Sequence, residues 1–276
     1  MGSAARHGRS PSPTSSDGLP DVAVANAGSN DVSVLLGKGD GRLSAAATFA
    51  VGAEPRSVAV GDFNSDGRPD LATADFGGDS VSILLGRGDG SFRRPVSIPA
   101  GARPAALAVG HLNGDAAPDI AVADLGSDRA TILLGDGRGA FSARRTPALY
   151  SGAGKVRPSS VAVGRLNGDA RPDLAFTLSR AGRVAVMCGS GRGRFRRCQA
   201  PRVGRDPYSV AVGDLGGGRA PDLVVANRAS NTVSMLLGRS PRRPASPVCR
   251  GLEGPRPPQP RCRLATAARA RLEEAV

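Results

Sequence analysis

One loop in the sequence has the residue types and the spacing of a calcium-binding loop. The candidate ligands are Asp62, Asn64, Asp66, Arg68 and Asp70, with Gly67 between the third and fourth. Calcium prefers about six to eight oxygen ligands, and acidic or amide side chains at alternate positions of a tight loop can converge on one ion. Gly67 permits the sharp turn, and Arg68 would offer its backbone carbonyl oxygen. We therefore predict calcium as the cofactor of this loop.

A turn without metal is the alternative interpretation of the same loop. Asp and Asn side chains commonly accept hydrogen bonds from backbone N–H groups one or two residues further along the chain. Three carboxylates so close together would repel one another without a cation, so metal binding explains the composition better.

The loop has four other copies, and each departs from this pattern. They comprise Ser15, Asp17, Gly18 and Asp21; His111, Asn113, Asp115, Ala116 and Asp119; Arg165, Asn167, Asp169 and Asp173; and Asp214, Gly216, Gly218 and Asp222. We expect a weaker metal site at Asn113, Asp115 and Asp119, and turns only in the other three copies. The final Asp persists where other ligands are lost, which predicts that it accepts backbone N–H groups.

Two dipeptides show that the central part of the chain is built from repeats. Pro-Asp recurs with its Asp at 21, 70, 119, 173 and 222, in steps of 49, 49, 54 and 49 residues. Leu-Gly or Cys-Gly recurs with the same steps, with its Gly at 37, 86, 135, 189 and 238. The long step reflects an insertion between Leu149 and Arg157. A fixed period of this length is the signature of a repeat architecture.

One period, from Pro55 to Gly101, is typical of four short antiparallel strands. We predict strands at 57–61, 71–75, 81–85 and 92–98, the last interrupted by Pro95 as an outer edge strand tolerates. Four strands in about 49 residues indicate one blade of an all-β propeller, and a β-sandwich or a solenoid is the alternative. No helical periodicity occurs between residues 19 and 238.

The two ends of the repeat array are incomplete. The first repeat begins at its second strand, and the last ends after its third, so about four and a half to five blades are expected. The ring is either incomplete or closed by an irregular joint. We expect residues 1–18 to form a disordered leader, 19–238 the propeller, and 239–276 a mostly disordered tail rich in Pro and Arg.

The formal net charge of +13 does not by itself indicate nucleic-acid binding. A large part of the excess lies in the tail, and only two of the 37 basic residues are Lys. We therefore expect no nucleic-acid partner.

No segment has the ~20 apolar residues of a membrane span, and residues 1–18 do not resemble a secretory signal.

The four cysteines lack the spacing of a zinc site. Cys188 and Cys198 flank a predicted hairpin turn, whereas Cys249 and Cys262 lie in the tail. The first two predict either a disulfide, in an oxidising compartment, or two free thiols.

The repeat and its loop together resemble the FG-GAP/VCBS family, which includes the head domains of integrin α chains. The residues that carry the resemblance are Val58–Asp62 and Asp66–Leu71, and it extends over about residues 19–238. It implies a β-propeller whose calcium loops join the first two strands of a blade. It also implies an extracellular or periplasmic protein that binds proteins or glycans.

We expect a non-catalytic, calcium-stabilised binding module that presents loops to a protein or glycan partner. Arg87–Asp89 spells an adhesion tripeptide, but its glycine belongs to the repeated hairpin turn. With two His residues and Asp at repeat-equivalent positions, no catalytic constellation stands out. The alternatives are a propeller-borne hydrolase or lyase acting on polysaccharide, and a truncated repeat protein with no independent role.

Overall fold

The computed structural model describes residues 15, 17–152, 155–215 and 221–238, and the backbone of 265–266 and 270–271. These residues form antiparallel sheets that follow one another along the chain, here called blades 1 to 5. Blade 1 contains β1 (Val22–Asn26), β2 (Asp31–Leu35) and β3 (Ala47–Ala50). Blade 2 contains β4 (Pro55–Gly61), β5 (Asp70–Asp75), β6 (Ser80–Leu84) and β7 (Val96–Pro99).

The remaining blades repeat the four-stranded plan. Blade 3 contains β8 (Pro104–Gly110), β9 (Asp119–Asp124), β10 (Ala130–Gly135) and β11 (Phe141–Arg145). Blade 4 contains β12 (Pro158–Gly164), β13 (Asp173–Leu178), β14 (Arg183–Gly189) and β15 (Phe195–Gln199). Blade 5 contains β16 (Pro207–Gly213), β17 (Asp222–Asn227) and β18 (Thr232–Leu237), with a 3-10 turn at Arg228–Ser230.

The blades stand side by side, and each buries an apolar face against its neighbour. The front face of a blade is the one that packs on the following blade, and the rear face packs on the preceding blade. At the junction of blades 2 and 3, Ala72 and Ile83 of the front face pack with Ile120 and Leu133 of the rear face. Because strand side chains alternate between faces, every central strand must be apolar on both sides, which explains the continuous Val/Ala/Leu runs.

This arrangement is a β-propeller, as predicted, with first strands β4, β8, β12 and β16 at its centre. These strands surround a central cavity of about 240 Å³, lined by small apolar side chains and by serines such as Ser57 and Ser160. The ring is not closed within the described residues, where blades 1 and 5 share no hydrophobic cluster. The described part of the chain contains no helix long and apolar enough to cross a membrane.

Two strand predictions differ from the structure. The fourth strand of blade 2 is only Val96–Pro99, because Pro95 has no N–H to donate, while Phe92 makes an isolated bridge with Gly86. Blade 5 does not end at its third strand. Two short strands from the tail, β19 (Ala265–Thr266) and β20 (Ala270–Arg271), pair with β18 in the place of the fourth. The rest of the predicted tail, and the predicted leader up to residue 14, lie outside the described residues.

Candidate functional site

The predicted calcium loop joins the first two strands of blade 2. Asp62 follows the end of β4, and Asp70 begins β5. Both oxygens of Asp62 accept backbone N–H groups, Oδ1 from Asp66 at 3.1 Å and Oδ2 from Gly67 at 2.9 Å. Gly67 has a φ of +78°, in the region that glycine adopts without strain.

Asn64 and Asp66 form a turn in the middle of this loop. The Asn64 amide donates to Asp66 Oδ2 at 3.0 Å, and Asp66 Oδ1 accepts the N–H of Arg68 at 2.9 Å. Asn167 and Asp169 form the same pair in blade 4, at 3.0 Å, although Arg165 stands where blade 2 has Asp62. The Asn-Asp pair therefore also forms in a loop whose first position holds a cation, and Asp62 distinguishes the loop of blade 2 from that of blade 4.

Asp70 is fully buried and ties the loop to the following hairpin. Its Oδ2 accepts the N–H of Phe63 at 2.8 Å, and its Oδ1 accepts the N–H of Gly86 at 2.7 Å. Burial raises the pKa of Asp70, the two N–H donors lower it, and the charges of Asp66 and Asp62 raise it further. The three carboxylates are thus close enough to influence one another electrostatically.

The same clamp recurs in every blade, which confirms the predicted role of the Asp after Pro. Its carboxylate always accepts an N–H from the loop before it and the N–H of a glycine 16 residues later. The pairs are Asp21–Gly37, Asp70–Gly86, Asp119–Gly135, Asp173–Gly189 and Asp222–Gly238. Because any Cβ at Gly86 would collide with the Pro69 carbonyl oxygen, this position requires glycine.

The residues of the blade 2 loop fit calcium by their chemistry. Asp62, Asn64 and Asp66 offer side-chain oxygens within five residues, and each carboxylate oxygen has lone pairs beyond those its N–H donors use. Among the described residues no three His, Cys, Asp or Glu side chains are already gathered as a metal site. Asp62 and Asp66 would therefore have to move closer together to bring their remaining lone pairs onto one ion, while Asp70 is held in the clamp.

The weaker loop of blade 3 holds its predicted residues in the turn-and-clamp arrangement. Asn113 donates to Asp115 Oδ2 at 2.6 Å, and Asp119 accepts N–H groups from Leu112 and Asn113 at 2.6 and 3.1 Å. His111 contacts the carbonyl oxygen of Ala117 at 3.2 Å through Nδ1. In the last copy, Gly216 and Gly218 lie outside the described residues.

A pocket at the opposite end of the blades was not predicted from the sequence. It has a volume of about 450 Å³ and lies between the loops that follow second and fourth strands. It is lined by Glu54, Phe76, Gly77, Asp79, Ala102, Arg103, Gly126 and Lys155. Lys155 comes from the insertion that only this part of the repeat array carries, and the insertion was the signal that could have indicated the pocket.

An aromatic ring fixes two guanidinium groups beside this pocket. Arg56 lies 3.3 Å from the centre of the Phe76 ring, and Arg103 lies 5.4 Å from it. The N–H of Arg103 donates to Asp79 Oδ1 at 2.7 Å. Stacking on an aromatic face restricts the arginine side chains, so their charges are held in place before any ligand binds.

One buried carboxyl group elsewhere is incompletely hydrogen-bonded. Asp124 Oδ2 accepts from the Thr131 hydroxyl at 2.8 Å, whereas Oδ1 has no partner among the described residues. Burial raises its pKa to about 7, against the lowering effects of Thr131, Arg145 and Gly101. The equivalent Asp75 accepts from three hydroxyls, those of Thr73, Ser80 and Ser82.

The structure joins Cys188 and Cys198 in a disulfide across β14 and β15, with Cα atoms 5.8 Å apart. The sequence left two alternatives open, a disulfide or two free thiols, and the structure contains the disulfide. Cys249 and Cys262 lie outside the described residues.

A family model described as an FG-GAP-like repeat matches the chain three times, over residues 15–73, 62–122 and 111–176. Each match begins at the loop before a second strand and ends in the second strand of the following blade, in register with the repeat described above. A search of curated protein sequences finds no match.

Solved structures similar to this one support the propeller fold at low sequence identity. A periplasmic gluconolactonase of Pseudomonas aeruginosa has a TM-score of 0.53 and 19% identity, with 87% of this chain and 64% of that chain covered. An Agrocybe aegerita lectin that recognises non-reducing terminal N-acetylglucosamine has a TM-score of 0.55 and 18% identity, covering 87% and 63%. BBS1N, solved in complex with ARL6DN, has a TM-score of 0.56 and 14% identity, covering 82% and 63%. This chain thus spans less than two thirds of the length of each.

Proposed function

Because the chain belongs to the FG-GAP-like repeat family, we propose that it is a calcium-stabilised, non-catalytic module that presents loops to a protein or glycan partner. The observation that carries the calcium proposal is Asp62. Blades 2, 3 and 4 share the Asn-Asp turn, but position 1 holds a carboxylate only in blade 2, against His111 and Arg165 in the others. Asp62 accepts the N–H groups of Asp66 and Gly67, but the Asn-Asp turns of blades 3 and 4 form without a carboxylate at this position.

Calcium would act by joining the end of one strand to the beginning of the next. Asp62 lies directly after β4 and Asp66 in the middle of the loop, while the Asp70 clamp fixes the start of β5. An ion held by Asp62, Asn64 and Asp66 would remove the repulsion among the loop carboxylates and restrict the exposed half of the loop. We therefore expect the ion to raise the free energy of unfolding by mass action, by an amount that grows with the logarithm of the calcium concentration once this exceeds the Kd.

Calcium titration calorimetry and thermal melting of the full chain test this proposal. We expect saturable binding with one strong site, and a melting temperature that rises with calcium and less with magnesium. Asp66→Ala should remove most of both effects.

Asp169→Ala is the matched control, because it removes the same turn interaction in blade 4 where Arg165 disfavours a cation. It should leave calcium binding unchanged. A parent protein that shows no calcium-dependent heat or melting shift would refute the calcium proposal without affecting the fold.

The pocket at the opposite end supports a role in partner binding. Arg103 and Lys155 supply positive charge, and Glu54 and Asp79 supply acceptors for hydroxyl groups, in a concave site of about 450 Å³. Sites of this size with a few fixed polar groups are typical of small-ligand recognition. The similarity to a lectin favours a glycan as the partner, and the similarity to BBS1N favours a protein.

The Cys188–Cys198 disulfide supports an extracellular or periplasmic location.

A glycan array probed with the calcium-loaded chain tests the glycan partner. We expect binding to a restricted set of glycans that is lost in Arg103→Ala and in Lys155→Ala. Arg138→Ala, on an exposed hairpin at the other end of blade 3, should leave binding unchanged. Equal binding by all three variants would exclude the pocket as the recognition site.

A hydrolase or lyase acting on polysaccharide is the second candidate function. The similarity to a periplasmic gluconolactonase favours it, as does a pocket in which Lys155 stands where the other repeats have Gly52, Gly101 and Gly204. Turnover of polysaccharide or of sugar lactones that is abolished by Lys155→Ala would establish an enzyme. Binding without turnover would support the non-catalytic module.

A further inference from the structure

The front face of blade 5 is an apolar surface that has no blade packed on it in the described structure. It is formed by Ala211, Val224, Ala226, Val233 and Met235, all exposed or half-buried. In the front face of blade 2, the counterparts on the second and third strands are at most 1% exposed. They are Ala72, Ala74, Val81 and Ile83. Blade 5 therefore ends the described array with the kind of face that elsewhere forms a blade junction.

Leu215 shows the same difference in the adjacent loop. Its counterparts Phe63 and Leu112 are buried, at 1% and 0% exposure, whereas Leu215 is 53% exposed. The carbonyl oxygens of Phe63 and Leu112 accept N–H groups from Gly139 and Gly193 of the following blade, at 3.0 and 3.1 Å. A blade packed on blade 5 would thus supply a glycine N–H to Leu215 as well as apolar side chains.

The rear face of blade 1 is the complementary surface. Val22, Val24 and Leu35 are half-buried there, whereas the corresponding residues of the rear faces of blades 2 to 5 are 0–1% exposed. Blade 1 also offers Gly41, the counterpart of Gly139 and Gly193. A Cβ built on Gly41 meets nothing within 4 Å, whereas one on Gly139 would contact Leu85 of the preceding blade.

Side-chain size indicates that these two faces match each other. Every internal junction sets Ala on the front face against Leu or Ile on the rear face, in the pairs Ala23–Leu71, Ala72–Ile120, Ala121–Leu174 and Ala175–Leu223. The corresponding open positions are Val224 and Val22. The front residue is larger than Ala and the rear residue smaller than Leu, so the combined volume of the pair is nearly kept, as a packed core requires.

We propose that the front face of blade 5 packs on the rear face of blade 1 of a second copy of this chain. The two faces lie at opposite ends of the blade array, and within one chain no hydrophobic cluster of the described residues joins them. Such a head-to-tail contact is heterologous, so each added copy leaves one open face at each end of the assembly. A blade with a polar outer face would end the array instead, and neither end of the described array has one.

Sedimentation velocity of the full chain over a range of concentrations tests this interaction. We expect the weight-average mass to rise above the 27.9 kDa of one chain as the concentration increases. Val224→Asp and Val22→Asp should each weaken association by at least ~10-fold, because each places a carboxylate in the apolar contact. Leu215→Asp changes an exposed side chain and keeps the backbone N–H that Asp222 accepts, and it should weaken association in the same way.

A mixture of the Val22→Asp and Val224→Asp chains tests directly whether the two faces bind each other. The Val22→Asp chain keeps an intact blade 5 face and the Val224→Asp chain an intact blade 1 face, so an equimolar mixture should form a two-chain complex. Val96→Asp, on the outer strand of blade 2 where Val96 is 56% exposed, is the control and should associate like the parent. One-chain mass at every concentration, association unaffected by the substitutions, or a mixture that fails to pair would overturn the proposal.

Discussion

Replacing Asp124 with Asn should stabilise the protein, and only at neutral and alkaline pH. Asp124 is completely buried, its Oδ1 has no partner among the described residues, and burial raises its pKa to about 7 from the ordinary 3.8. The native state therefore holds the proton of this carboxyl group more tightly than the unfolded chain does. The contribution of Asp124 to stability is complete below about pH 4, falls between about pH 4 and 7, and is lowest above about pH 7.

The size of the effect follows from the raised pKa. A pKa difference of roughly three corresponds to about 4 kcal/mol, at about 1.4 kcal/mol for each unit of pKa, and Asp124→Asn would recover this free energy because an amide cannot ionise. Asn already occupies the equivalent position in blade 5, where Asn227 donates to Ser234 Oγ at 2.9 Å and accepts from the Gly204 N–H at 3.1 Å. In blade 3, the Thr131 hydroxyl and the Gly101 N–H lie where they can make the same contacts with the amide that Asp124→Asn introduces.

Thermal melting at pH 4 and pH 8 measures the difference. We expect Asp124→Asn to raise the melting temperature at pH 8 by on the order of 10 °C, and to change it little at pH 4. Asp75→Asn is the control, since three hydroxyl donors would then face an amide and the gain at pH 8 should be smaller or absent. A gain of equal size at both pH values, or none at pH 8, would show that the proton on Asp124 does not control stability.

Three further predictions concern the repeated clamp and the disulfide. Asp173→Asn should lower the free energy of unfolding by about 1–3 kcal/mol, because both carboxylate oxygens now accept backbone N–H groups and an NH2 group would replace one of these acceptors. An unchanged midpoint of urea unfolding would contradict the role of the clamp. Gly86→Ala should lower the melting temperature clearly, since its Cβ would meet the Pro69 carbonyl oxygen, whereas Gly28→Ala, with open space around it, should not. Reducing the Cys188–Cys198 disulfide, or substituting both cysteines with Ser, should cost up to about 3 kcal/mol for a separation of 10 residues, as measured by urea unfolding. Equal stability with and without reductant would show that the bond does not constrain the unfolded chain.

The sequence predicted the blades because its two markers are the residues that the fold cannot replace. The Asp of each Pro-Asp clamps two backbone segments, and the Gly of each Leu-Gly or Cys-Gly in blades 1 to 4 lies against the carbonyl oxygen of the Pro before that Asp. Both constraints act at fixed separation along the chain, so they appear directly as a period. The alternation of apolar side chains then located the strands, except where Pro95 shortened β7.

What could not be predicted depends on contacts between distant parts of the chain. From the sequence, the insertion indicated only a longer repeat. In the structure, Leu149 and Val156 of the insertion are buried in the core between blades 3 and 4, and this burial brings Lys155 to the pocket. The unpartnered oxygen of Asp124 arises because Val122 and Arg129 replace the hydroxyls that serve Asp75. The insertion appears in the pattern only as one longer step, and the changes at Val122 and Arg129 leave the period unaltered, so the pattern did not show which contacts these residues make.

The calcium loop itself stays a prediction, since its hydrogen bonds are compatible with a turn as well as with a metal site. Crystals of the full chain grown with calcium provide the most direct measurement, through anomalous diffraction. We expect one strong peak at about 2.3–2.6 Å from oxygens of Asp62, Asn64 and Asp66, and none at the corresponding blade 4 loop of Asn167 and Asp169. A loop that keeps the hydrogen bonds of Asp62 to Asp66 and Gly67 at saturating calcium, with no ion beside it, would contradict calcium binding at this site.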